Sequence, residues 1–164
     1  MAVSASIPKA DVHGIDDVQA LKDQVIGPSG WREVTQEMIS QFAALSGDQQ
    51  WIHVDVERAK AESPFGTTVA HGNLTLSLID GLRRDLGEWS GFRLGVNYGY
   101  NKVRFPAPVV AGARVRCYAQ IVEASEIGGG WHQVVTRFTV EAEGSEKPAC
   151  VADSVGRVLV DTGQ

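Results

Sequence analysis

Cysteine is scarce in this chain of 164 residues: Cys117 and Cys150 are the only two. They lie far apart and match neither a CxxC pair nor a zinc-site spacing, which excludes a disulfide scaffold and a structural zinc. They read as buried, reduced thiols of a cytosolic protein. Long apolar runs are missing too. None approaches the ~20 residues that a helix needs to span a bilayer, so no membrane association is expected. From Met1 to Asp17 no basic stretch precedes an apolar core, so no signal peptide is expected and the expected location is cytoplasmic. Positive charge is in deficit, with 15 Lys and Arg against 20 Asp and Glu, a net charge of −5 and a pI near 5.3. Phosphate backbones are bound by basic surfaces, so a nucleic-acid partner is excluded, while an anionic substrate needs only a local basic patch. Internal repeats and low-complexity segments are absent as well.

What remains is an ordinary globular composition, 43% hydrophobic and 21% charged, long enough for one domain with a sizeable core. Residues 1–14 are polar, carry Pro8 and lack periodicity, which predicts a flexible tail followed by a single domain over 15–164. Apolar residues at Ile15, Val18, Leu21, Val25 and Ile26 have helical spacing, ended by Gly27, Pro28 and Gly30. A short strand is predicted at 31–34. Thr35 suits an N-cap, Met38, Ile39, Phe42 and Leu45 form an apolar stripe, and Gly47 suits a left-handed helix end. The stretch from Gly47 to Gly72 is irregular apart from a short helical piece near 56–61. Leu74, Leu76, Leu78, Ile79 and Leu82 then occupy more than one face of a helix running to about Asp85, which predicts burial on most sides.

After Gly87 and Gly91 the texture changes. Strand-like runs fall at 92–105, 114–125, 131–143 and 147–160, separated by Pro106-Ala107-Pro108, Gly128-Gly129-Gly130 and Glu143-Gly144-Ser145. One buried helix followed by a meander of long strands is an α+β pattern. A curved antiparallel sheet wrapped around that one long helix buries both, and this is the hot-dog architecture.

The chemistry concentrates in 42–55, which leaves a helix and enters a loop carrying Asp48, Gln49, Gln50, Trp51 and His53. Downstream, 64–72 ends in His71-Gly72 immediately before the apolar helix. A carboxylate or imidazole can hold and deprotonate water, and a helix N-terminus can bind a carbonyl oxygen gaining charge. Each residue alone also has a structural reading. Asp48 past a helix end suits a turn residue bonding its own backbone, His53 a half-buried histidine, and His71 a helix-entry residue. Asp55 suits a cap for the next helical turn. Asp80 suits a solvent-facing or dimer-contact carboxylate, and Lys102 and Arg104 are either solvated strand cations or contacts to a substrate's phosphates.

Phe42, Ser46-Gly47-Asp48, Ile52 and His53 resemble the hydratase-2 motif of the MaoC-like dehydratases, the (R)-specific enoyl-CoA hydratases. Phe65-Gly66 and Val69-Ala70-His71-Gly72 resemble that family's second block, and Asn97 to Val109 its following strand, so the likeness spans about 25–160. One departure stands out: Gln50-Trp51 replaces the usual Asn-Pro, a variant similar to the nodulation-protein-N-like subgroup. Gln50 keeps an amide on one more methylene, and loss of the proline frees the loop, which bears on substrate preference more than on reaction type. The resemblance implies a hot-dog fold and syn hydration of a trans-2-enoyl-CoA to the (3R)-hydroxyacyl-CoA. It further implies that Asp48 and His53 hold the water, that Gly72 N–H binds the thioester oxygen, and that Gln50 is an auxiliary contact. No metal or cofactor is implied beyond the CoA or acyl-carrier-protein thioester serving as substrate. A single curved sheet leaves an open edge, so a homodimer is expected. Two alternatives stay open: a hot-dog thioesterase, which would release free thiol, and a non-catalytic acyl-thioester-binding subunit of a dehydratase assembly.

Overall fold

A computed structural model describes residues 6–160 of the chain. Four long strands form most of one antiparallel sheet: β5 (Phe92–Arg104), β6 (Arg114–Gly128), β7 (Trp131–Ala142) and β8 (Cys150–Val160). Two-residue strands β2 (Val25–Ile26) and β3 (Arg32–Glu33) both pair with β6, and the order is β2-β6-β7-β8-β5. The expected meander is therefore present with one rearrangement. β5 does not pair with its sequence neighbour β6 but lies beyond β8, as an edge strand.

Helix α5 (Gly72–Leu82) crosses this sheet and continues into a 3₁₀ turn, Arg83–Leu86. Leu74, Leu78, Ile79 and Leu82 bury themselves against Cys117 and Ala119 of β6, Phe138 and Val140 of β7, and Cys150 and Ala152 of β8. Most of those sheet residues are small, which leaves room for a helix to sit close to the strands. Each fully buried leucine or isoleucine contributes about 1.5–3 kcal/mol, enough to fix the docking of α5. Asn73, Ser77 and Asp80 remain exposed along its outer side, so the helix is wrapped on most faces but not all. Asp80 pairs there with Arg83 at 3.1 Å, as a solvent-facing carboxylate does. The two thiols are free and buried, and burial pushes Cys117 up to about 12 and Cys150 up to about 11.

Two expectations at the N-terminal end change. Residues 6–14, expected within a flexible tail, pack onto the domain: β1 (Val12–His13) pairs in parallel with β4 (Trp89–Ser90), and Val12 is fully buried. Residues 1–5 lie outside the described residues. The helix expected over 15–26 is confined to α1 (Ile15–Ala20), because Asp23 takes a positive φ of 66° and Val25–Ile26 leave to pair with Gln120 and Ala119. The remaining helices are α2 (Gln36–Ser46), α3 (Trp51–Val54) and α4 (Val56–Glu62), of which the single turn α3 lacked any periodic signal.

Candidate active site

Helix α2 begins at Thr35, whose hydroxyl accepts from Met38 N–H at 3.2 Å, and anchors through Ile39 and Ala43. Gly47 ends it at φ 79°, a conformation that favours glycine, and turns the chain sharply into Asp48. Ser46 Oγ donates to Phe42 O at 2.7 Å and accepts from Asp48 N–H at 3.3 Å. Asp48 Oδ1 accepts from Gln50 N–H at 3.3 Å, so one carboxylate oxygen closes a local turn while Oδ2 stays available. The turn reading of Asp48 thus holds, and it leaves the second oxygen compatible with the catalytic reading. Gln50 is exposed at the start of α3, and what is held is its backbone N–H. Trp51 stacks under the Arg58 guanidinium, 4.4 Å from the ring centroid, and Arg58 is in turn held by Glu62 at 2.9 Å. Asp55 caps α4 by accepting from Arg58 N–H at 3.0 Å.

His53 is 7% exposed, and its Nδ1 lies 2.6 Å from Val69 O. A carbonyl can only accept, so Nδ1 carries the hydrogen and the neutral ring presents its lone pair at Nε2. The same strand-like segment returns a bond, Val69 N–H to Ile52 O at 3.0 Å. Gln36 of α2 completes the brace: its Nε2 donates to His53 O at 2.8 Å and its Oε1 accepts from the Thr68 hydroxyl. His53 is therefore held by groups from α2 and from 68–69, as a group with a fixed orientation must be.

His71, read from sequence as a helix-entry residue, does more. It precedes α5 and is 4% exposed; its ring stacks on His53 with centroids 3.7 Å apart at 25°. Phe42 tilts against it at 5.1 Å. His71 Nε2 lies 3.0 Å from Asp48 O and 4.0 Å from Asp48 Oδ2. The side-chain ligand atoms of Asp48, His53 and His71 all fall within 4.8 Å of one another. Two histidines and a carboxylate suggest a metal, but rings stacked at 3.7 Å and 25° aim their in-plane lone pairs side by side, not at one ion. The grouping fits acid–base work better.

Gly72 opens α5, and the first N–H groups of a helix have no partner within it, leaving them free for an oxyanion. A Cβ at Gly72 would fall 2.7 Å from Phe105, so only glycine fits beneath that ring. Beside it opens a cavity of about 230 Å³ walled by Phe65, Ala70, Thr75, Phe105 and Val109 among others. Of the four residues expected in the site, this cavity touches only Gly72, while Asp48 and His53 cluster with His71 outside its lining. Lys102 and Arg104 are exposed on β5, and Arg104 donates to Val103 O at 2.7 Å.

Residues 17–143 match the model of the MaoC like domain. Among curated proteins, the chain is 49% identical over 145 residues to 3-hydroxyacyl-thioester dehydratase Z of Mycobacterium tuberculosis, covering 88% of this chain and 95% of that protein. It is 38% identical over 140 residues to Nodulation protein N of Rhizobium meliloti, covering 85% and 87%. Among solved structures, an Archaeoglobus monoamine oxidase regulatory protein superposes with a TM-score of 0.77 at 26% identity, covering 94% and 99%.

Proposed function

The chain belongs to the MaoC-like dehydratase family, and from that premise we propose that it is an (R)-specific enoyl-CoA hydratase, acting in reverse as a dehydratase. The observation that carries this reading is the convergence of the Asp48 carboxylate and the His53 imidazole beside the first turn of α5. Hydration of a trans-2-enoyl thioester has two obstacles: water is a poor nucleophile, and negative charge builds on the thioester oxygen. His53 Nε2 and Asp48 Oδ2 hold a water between them and take its proton as its oxygen bonds to Cβ. The proton delivered to Cα comes from the same pair and from the same face, which makes the addition syn; the enoyl face turned toward the pair sets the (3R) configuration. Gly72 N–H, at the positive end of α5, stabilises the enolate oxygen in between. Water and enoyl thioester combine with no change of oxidation state, so the chain's own residues suffice. Gln50, at the mouth of the loop, is an auxiliary contact to the thioester arm.

The same premise supports a homodimer and a cytoplasmic protein. No helix among the described residues is long and apolar enough to cross a membrane, and both thiols are free, which suits a reducing compartment. Asp48 has 55% of its side chain exposed, an open position for a catalytic carboxylate that a second copy of the chain would cover.

The direct test follows the enoyl-thioester absorbance on adding the protein to trans-2-enoyl-CoAs of increasing chain length, with chiral analysis of the product. The expected result is loss of absorbance with (3R)-hydroxyacyl-CoA as the product. Release of free thiol without a hydroxyacyl product means a thioesterase, and no turnover at any chain length means a binding subunit.

A further inference from the structure

The loop that carries Asp48 is held mainly by itself. Ser46 Oγ accepts from Asp48 N–H, Asp48 Oδ1 accepts from Gln50 N–H, and Gln50 O accepts from His53 N–H. Each of these bonds joins residues close in sequence and leaves the loop free to move as a unit. Among the described residues, one hydrogen bond ties 48–50 to a distant part of the fold: His71 Nε2 to Asp48 O at 3.0 Å. The carbonyl accepts, so His71 carries its hydrogen on Nε2.

That assignment leaves His71 Nδ1 as a buried acceptor with no hydrogen-bond partner among the described residues. Buried polar groups are nearly always satisfied, and an exception calls for a reason. The Nδ1–H tautomer would not supply one, because it would take the donor away from Asp48 O. The unsatisfied nitrogen is what remains when the other edge of the ring is committed to the loop. His71 itself is rigid, being 4% exposed, stacked on His53 at 3.7 Å, and bonded through its own carbonyl to Thr75 N–H at 3.2 Å. Its neighbour Gly72 carries the free N–H assigned to the thioester oxygen.

We propose that His71 is a positioning residue that fixes Asp48 and His53 relative to the Gly72 N–H, through its Nε2–H on Asp48 O and its face on the His53 ring. One rigid dipeptide, His71-Gly72, thus sets the separation between the attacking water and the oxyanion donor. The role rests on the hydratase reading of Asp48 and His53. A misplacement of about 1 Å in such a geometry can cost on the order of 10²-fold in rate, with little effect on substrate binding.

The test combines two variants with a measurement on the unaltered protein. His71→Phe keeps the stacked ring and removes the N–H; His71→Gln keeps an N–H donor at similar reach and removes the ring. His71→Phe is expected to lower kcat by roughly 10–100-fold with KM within about threefold, and His71→Gln to recover part of that loss. Circular dichroism checks that both fold. Long-range ¹⁵N–¹H correlation spectra of the histidine-labelled wild type, needing no variant, are expected to show His71 as the Nε2–H tautomer and His53 as the Nδ1–H tautomer. The proposal is overturned if His71 is the Nδ1–H tautomer, if His71→Phe retains wild-type kcat, or if the folded Gln variant is no better than the Phe variant. Absence of hydration by the wild type would sink the hydratase reading instead, and the tautomer result stands apart from that outcome.

Discussion

At the scale of single residues, the proposed pairing of Asp48 and His53 on one water has a kinetic signature. Asp48 is exposed and accepts a backbone bond on one oxygen; His53 is buried and pinned by Val69 O with its Nε2 free. General acid–base groups contribute ~10²–10⁴-fold, so Asp48→Asn and His53→Asn should each lower kcat by about that factor while KM moves far less. Groups that act as a unit are not additive, so the double variant should be little worse than the more damaged single one. Steady-state kinetics on folded variants decide it, and losses that multiply would mean two independent contributions and no shared water. Both residues were legible in the sequence because the motif fixes their spacing along one short segment. The contacts of His71 were not legible, although it stood in the second block. Its partners, Asp48 and His53, are brought to it by the docking of α2 and α3 against the start of α5, a non-local event that spacing along the chain does not encode.

At the scale of elements, one closely constrained contact lies between the first turn of α5 and the end of β5. Phe105 follows β5 and lays its ring where a Cβ on Gly72 would be, with three ring carbons at 2.7–2.9 Å from that point. Overpacking of this kind costs about 1–3 kcal/mol, so Gly72→Ala should be destabilised by that much in denaturant unfolding. In a double-mutant cycle Phe105→Ala should relieve most of that cost, giving a coupling of at least about 1 kcal/mol. Strictly additive effects would show that the ring moves aside freely. The long elements were readable from their pattern: the leucines of α5 recur at helical spacing, and the four strands are bounded by proline and glycine turns. The short ones were not. Val25 and Ile26 continue the apolar spacing of α1 yet pair with β6, and Val12 is buried by a two-residue pairing with Trp89, far downstream. Where a segment takes its structure from a distant strand, local periodicity carries no information about it.

At the scale of the whole molecule, the single chain leaves two places open to solvent. β5 is an edge strand of 13 residues bonded, among the described residues, to β8 alone, and along it Leu94, Val96, Tyr98 and Tyr100 are 39–60% exposed. Long edges with exposed apolar side chains are where another strand adds on, and natural proteins otherwise blunt them with charge or bulges. β5 has register shifts against β8, yet the stretch 94–100 carries no charged residue. The second place is the site, where Leu45 (86%) and Phe65 (43%) are exposed near the loop and the helix start, with Asp48 open beside them. One two-fold partner covering both would remove the edge and exclude water from the reacting centre, strengthening the charge interactions on which hydration depends. Light scattering should therefore return twice the 17.6 kDa chain mass. Val96→Lys places a charge on the edge proposed to pair with a second copy, so it should shift the protein toward monomer and lower specific activity on dilution. Val96 is already 42% exposed in the single chain, so the variant should keep its circular dichroism spectrum. A wild type that stays monomeric and fully active at high dilution would show that one copy of the sheet and helix is a complete enzyme.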